Sequence, residues 1–356
     1  MTNFKTVTPL KPKGDQPKAI DTISKSINSN ESPVLLHGVT GRGKSATLAW
    51  SIEKIGKPTL IIEPNKVLAS QMARELKTFF PDNEVCFFVS HFAYYRPEAY
   101  IPHTDVFIEK DSSIDSEIEK LRHFATTSLL TRNDVIVVAS VSAIYGLGRP
   151  EEYRSKILTV SQNMDVTFEG FLKKLIDLGY SRKSLLAPSS FRVLGDTLDI
   201  MPSNKDSIIR IGFFGDSIEE VKISQDLGNS FTDIPQIVIP PVSHHVFNNS
   251  LLKPVLSEIR DELDGRLEFF RKADKIVEYT RLKSRIGEDL DNLENLGFCK
   301  GIENYSRFFD RRKEGDPPFT LMDYFPENFL TVIDESHITI PQIRAMYEGD
   351  RSRKQN

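Results

Sequence analysis

The octapeptide Gly38-Val39-Thr40-Gly41-Arg42-Gly43-Lys44-Ser45 fills every fixed position of the pattern G-x-x-x-x-G-K-[ST]. Glycines let consecutive backbone N–H groups close around phosphates. The lysine of such a loop reaches the β- and γ-phosphates, and the final hydroxyl ligates Mg²⁺. The chemistry indicated is binding of a nucleoside triphosphate, with Lys44 and Ser45 as its main side-chain contacts. An acidic counterpart stands in Thr331-Val332-Ile333-Asp334-Glu335-Ser336-His337. An apolar strand ending in two carboxylates offers one, Asp334, to Mg²⁺ through water, and the other, Glu335, to polarise an attacking water. The order D-E-x-H is the variant used by motors that couple ATP to movement on nucleic acid.

These residues need a scaffold. The apolar run Val34-Leu35-Leu36 predicts a buried strand entering the loop, and Leu48, Ile52 and Ile55 place one apolar face on a helix after Lys44. Thr59–Ile62 and a helix over Val67–Phe80 continue the alternation, which argues for a parallel sheet with crossover helices, while further on Glu117–Arg132 reads as a helix and Asp134–Ala139 as another buried strand. The sheet resumes at Leu330–Ile333. The expected class is therefore α/β: a P-loop lobe divided between 1–88 and 326–356, with everything between inserted.

The inserted part has its own textures. Residues 89–150 begin with a different texture, in which Phe92, Tyr94, Tyr95 and Tyr100 are interleaved with prolines and few long aliphatics. From 151 to 250, short strands joined at Gly195-Asp196 and Gly215-Asp216 predict a small α+β insert. From 251 to 325 the pattern is helical, with Val255, Ile259, Leu263 and Leu267 on one stripe. Hydrophobic residues make up 39% of the chain and charged ones 27%, no apolar run approaches membrane length, and Met1-Thr2-Asn3-Phe4-Lys5 is not a signal peptide. With only Cys86 and Cys299, a disulfide framework is not expected and a reducing cytoplasm is the expected home. A net charge of −4 leaves any nucleic-acid contact to local patches.

Taken together, Gly14-Asp15-Gln16-Pro17-Lys18-Ala19-Ile20, the P-loop, Tyr95-Arg96-Pro97-Glu98-Ala99-Tyr100, Ile108-Glu109-Lys110-Asp111, the run 139–148, Gly301-Ile302-Glu303-Asn304-Tyr305-Ser306-Arg307 and Asp334-Glu335-Ser336-His337 resemble the UvrB family of bacterial nucleotide excision repair. The resemblance extends from Phe4 to Lys354. It implies a RecA-like P-loop NTPase lobe with ATP and Mg²⁺ as cofactors and damaged double-stranded DNA, UvrA and UvrC as partners. It also implies that Gln16 senses the adenine edge, since an amide donates and accepts at once. The aromatic segment from His91 to Ser116 resembles the family's β-hairpin, which inserts between DNA strands to verify lesions after loading by UvrA and before incision by UvrC. Lys110, Arg122 and His123 are then candidate phosphate contacts. The insert at 151–250 resembles the UvrA-docking domain, with Arg182, Arg192 and Arg210 as candidate partners for its carboxylates.

Departures from the family pattern bear on the site. Leu10 stands where an adenine-stacking aromatic is usual, Arg42 and Ser45 replace Ser and Thr, His91 and Phe92 replace tyrosines, and Leu194 replaces an arginine. Beyond Asn356 the family continues with the rest of the lobe, a second helicase-type lobe and a helical hairpin. Second-lobe arginines are worth roughly 10³–10⁵ in rate. This chain alone is therefore expected to turn over little ATP, and its sheet to keep an unpaired edge. The alternative is a non-catalytic module that binds UvrA or DNA without cycling. The intact loop argues against the transcription-repair coupling factor, whose equivalent region has lost it.

Overall fold

Thr59–Glu63 and Val135–Ser140 are apolar runs rich in branched residues, and every position in both is buried. Such continuous burial is what a strand covered on both faces by helices requires. A computed structural model describes the chain outside residues 1–3, 32, 40, 91, 97–98, 102–105, 109–110, 227, 246–251, 297–298, 300 and 356, and the backbone alone at 92–96, 99–101, 106–108, 111–114, 296, 303 and 348–355. It forms two compact units, one of residues 1–144, 203–206 and 321–356, the other of 145–202 and 207–320.

The first unit is built on a four-stranded parallel sheet in the order Leu330–Ile333, β1 (Thr59–Glu63), Val135–Ser140, β2 (Glu84–Phe88). The helices α1 (Gln16–Asn28), α2 (Lys44–Ile55), α3 (Lys66–Phe79) and α4 (Ser116–Thr131) accompany it, and a further helix, Ser336–Gln355, follows its last strand. Ala49, Ile52 and Ile55 of α2 and Ala69, Met72 and Leu76 of α3 share one core with Ile61, Ile136 and Val138 of the sheet. The helix starts are fixed locally: Asn65 accepts from the N–H groups of Val67 and Leu68, and Asp115 from those of Glu117 and Ile118. Phe92–Arg96 pairs antiparallel with Asp111–Ile114, and Ala99–Ile101 with Val106–Ile108, so the aromatic segment folds back on itself as a β-hairpin ladder.

One expected element is absent. Val34–Leu36 makes no ladder bonds, and Leu35 is 79% exposed. Apolar content alone does not make a strand; a partner does. The side of Leu330–Ile333 away from β1 has no paired strand among the described residues, and Thr331 and Ile333 are exposed there.

The second unit carries a six-stranded sheet in the order Thr232–Asp233, Ser217–Ser224, Ile208–Phe214, Thr197–Met201, Ser190–Leu194, Ser181–Arg182, antiparallel except for its last pair. The two Gly-Asp sites are its hairpin turns. The helix Phe168–Asp177 places Phe171 and Leu175 in one core with Phe191, Ile209 and Ile211 of the sheet. Leu252–Lys272 and Ile276–Leu296 pack through Val255, Leu256, Ile259, Leu290 and Leu293. Among the described residues no helix is long and apolar enough to cross a membrane.

A charged triplet crosses this sheet. Register places Arg192 opposite Asp199 and Asp199 opposite Arg210. Fully buried Asp199 accepts from Arg192 Nε and Nη2 at 3.0 and 2.8 Å and from Arg210 Nε and Nη2 at 2.7 and 3.0 Å. Burial alone would raise the Asp199 pKa, but hydrogen bonds and attraction from the two guanidiniums outweigh it and hold the carboxyl below its usual range. A carboxylate shifted down in this way contributes stability above its unfolded pKa, and the contribution is lost as pH falls through the folded value. Asp199→Asn should cost about 3 kcal/mol at neutral pH. In urea unfolding, the gap from wild type should close below about pH 4, where the unfolded carboxyl takes up its proton.

Candidate nucleotide site

Gly41 and Gly43 of the loop hold φ of 73° and 78°, left-handed values that side chains resist. Gly43 is the N-cap of α2, so the unpaired N–H groups of that helix's first turn open toward the loop. A Cβ on Gly43 would come within 2.8 Å of Gln16 Nε2 and displace that amide from the loop. Gln16 Nε2 donates to the Gly43 carbonyl at 3.3 Å, and Gln16 Oε1 accepts from Lys13 N–H at 3.0 Å. The residue expected to sense the base therefore rests against the loop. Gly38, Val39, Gly41, Arg42 and Gly43 are exposed, while Lys44 and Ser45 are half-buried; Thr40 lies outside the described residues.

The acidic strand end meets the loop through the sheet. Parallel pairing of Leu330–Ile333 with β1 extends one step further, the Asp334 N–H donating to the Ile62 carbonyl at 3.0 Å. Lys44 Nζ then lies 3.4 Å from Glu335 Oε1, with both side chains about one-third exposed. His337 Nδ1 is 3.4 Å from the other Glu335 oxygen. Glu335 sits at φ 41°, a conformation costly for a residue with a side chain. Buried Thr339 secures this corner, its hydroxyl donating to the Asp334 carbonyl at 2.7 Å and its N–H to the Glu335 carbonyl at 3.1 Å. The structure thus brings Gln16, Lys44 and Glu335 into one network with the loop.

A residue that sequence reasoning passed over completes this end of the sheet. Glu63, the last residue of β1, is 1% exposed, and burial together with the carboxylates of Asp334 and Glu335 pushes its pKa up to about 8. A glutamate ending an apolar run reads locally as a solvated strand end. Only the register with Asp334 reveals otherwise.

The remaining candidates fall elsewhere. Phe92, Tyr94, Tyr95 and Tyr100 lie on the hairpin strands, at register positions opposite Ile114, Ser113, Ser112 and Phe107. Their side chains, and all of Lys110, lie outside the described residues. Arg122 and His123 do not face solvent, which corrects the expectation of phosphate contacts. They are 6% and 2% exposed, because α4 turns them inward. The Arg122 guanidinium stacks over Phe88 at 4.1 Å and donates to the Val89 carbonyl at 3.0 Å. Glu119 lies 3.5 Å from Arg122 Nε and 3.6 Å from His123 Nε2. Burial lowers the Arg122 pKa to about 10, still charged at neutral pH. In the other unit Arg182 is exposed, but Arg192 and Arg210 already hold Asp199, and Arg210 stacks over Phe231 at 4.0 Å. Their expected pairing with a partner's carboxylates must compete with that internal clamp.

A P-loop facing an Asp-Glu strand end across a parallel sheet defines a helicase-type nucleotide-binding lobe. Residues 9–139 match the res subunit of type III restriction enzymes, 158–245 the UvrB interaction domain and 250–311 the UvrB third helical domain. UvrABC system protein B of Clostridium perfringens (strain SM101 / Type A) is 52% identical over 357 residues, covering 99% of this chain and 54% of that protein. Its counterparts in Bifidobacterium longum subsp. infantis and Mycobacterium leprae are each 49% identical, over 99% of this chain and 50% and 51% of their own lengths. The chain belongs to the UvrB family, and it spans about half the length of the curated relatives it matches.

The burial of Arg122 has a measurable consequence. Arg122→Gln should destabilise the first unit by about 2–4 kcal/mol in urea unfolding, through the lost stack and a poorly replaced buried charge. The salt dependence of DNA binding by the folded protein should not change, whereas loss of a phosphate contact would lower the slope by about 0.9.

Proposed function

We propose that this chain supplies the ATP-binding and DNA-verifying part of a nucleotide excision repair component, loaded by UvrA and acting before incision by UvrC. The observation that carries the reading is the Lys44–Glu335 contact at 3.4 Å, which joins loop and strand end in a chain that also matches the UvrB interaction domain.

The loop glycines and the start of α2 would wrap the phosphates, and Lys44 would exchange Glu335 for phosphate oxygens. That exchange frees the Glu335 carboxylate to orient water, while Gln16 presents its amide to the base. The donors fit Mg²⁺, a hard cation taking oxygen ligands: the Ser45 hydroxyl, the Asp334 carboxylate, and beside it a buried glutamate, Glu63, with no donor group hydrogen-bonded to its oxygens. When bound, the ion neutralises phosphate charge. The hairpin bearing Phe92, Tyr94, Tyr95 and Tyr100 would reach between DNA strands, its rings stacking without regard to sequence, as lesion scanning requires. Exposed Arg182 is the docking arginine best placed to meet an acidic partner surface, because it lacks the Asp199 clamp.

Binding of a fluorescent ATP analogue should fall at least tenfold in Lys44→Ala with the melting temperature unchanged; wild-type affinity in that variant would refute the loop assignment. Tyr94→Ala with Tyr95→Ala should weaken DNA binding by about 1–3 kcal/mol per lost stack. Unfolding of that double variant would instead assign the rings to a local core.

A further inference from the structure

Glu63 is almost wholly buried, no donor group is hydrogen-bonded to either carboxylate oxygen, and its polar neighbour is the Asp334 carboxyl. The register defines its surroundings. On one side it stands opposite Ser140, whose hydroxyl is engaged with Ser142 at 3.0 Å. On the other, Ile62 pairs with Ile333 and accepts the Asp334 N–H, so Glu63 and Asp334 end neighbouring strands of one parallel sheet. The nearby cation, Lys44, is directed to Glu335. An ionised carboxylate removed from water without a donor is costly, so the position calls for a positive ligand or a proton. Ligands of open parallel sheets bind outside the carboxyl ends of the strands, which is where Glu63 and Asp334 lie.

We propose that Glu63 is a further acidic residue of the metal side of this nucleotide site, holding the water shell of a divalent cation together with Asp334. The proposal rests on the reading of Asp334 as the metal-facing carboxylate. Mg²⁺ keeps several waters and is commonly held through one or two carboxylates plus phosphates. With two carboxylates at adjacent strand ends, the cation has a foothold before nucleotide arrives. The chain should therefore bind one divalent ion in the absence of ATP.

Titration of the full chain with Mn²⁺, followed by the electron paramagnetic resonance signal of the free ion, tests this without turnover. Wild type should bind Mn²⁺ without nucleotide, and both Glu63→Gln and Asp334→Asn should weaken binding about tenfold or more, with far-ultraviolet circular dichroism unchanged. Weakening in Asp334→Asn alone overturns the role of Glu63 and leaves the site reading intact. Weakening in Glu63→Gln alone overturns the shared site, because it removes Asp334 from the metal. If neither variant changes, or if wild type binds no Mn²⁺, the proposal and the metal reading of this strand end both fall. Should Glu63→Gln not fold, the unaltered chain loaded with Fe²⁺ and treated with ascorbate and peroxide decides the matter. Backbone cuts are expected within 62–65 as well as at 334–335, and cuts confined to 334–335 overturn the proposal.

Discussion

Everything chemical in the first unit depends on one parallel pairing, that of Leu330–Ile333 with β1. The two strands are far apart in sequence, and the closure entropy of so long a connection grows only logarithmically with its length. A short apolar ladder between buried partners can therefore hold the ends together. Once it forms, register leaves no freedom: Ile62 takes the Asp334 N–H, Glu335 falls against Lys44, and Glu63 becomes the neighbour of Asp334. A slip of one residue would turn the carboxylates to the opposite face. The site is thus a property of the ladder before it is a property of any side chain.

How much of this was legible depended on whether a residue's role was local. The loop glycines and Lys44 announce themselves, because phosphate binding by backbone N–H groups needs a contiguous pattern. So did the Gly-Asp turns and the stripe at Val255 and Ile259, which depend on neighbours a few positions away. Val34–Leu36 misled, since its apolar content says nothing about whether a ladder partner is present. Arg122 and His123 misled in the other direction. Charge suggests solvent, but α4 faces them inward onto Phe88 and Glu119. Glu63 was invisible for the same reason, its surroundings being set by strands distant in sequence.

The second unit uses charge differently. Asp199 is fully buried between two arginines that keep about a third of their surface in water. Arranged straight across three strands, the triplet locks their register from the exposed face while the aliphatic residues lock it from the core. Two of the arginines that the resemblance offers for docking, Arg192 and Arg210, are thus engaged by Asp199 within the sheet, and the one outside the clamp, Arg182, keeps its donors free of Asp199.

Gln16 carries a consequence of its own. Its amide donates to the Gly43 carbonyl and accepts from the Lys13 N–H, so both of its ends are matched within the chain. A base can engage it only by exchanging like for like, one donor and one acceptor against another pair. For a base with the complementary edge the exchange is close to neutral, and for any other it leaves an amide end unmet. On the proposed reading, Gln16 would contribute little to how tightly a nucleotide is held and much to which nucleotide is held, working as a comparator. Because its resting partner is the loop itself, each such comparison would also loosen or restore the hold on the Gly43 carbonyl.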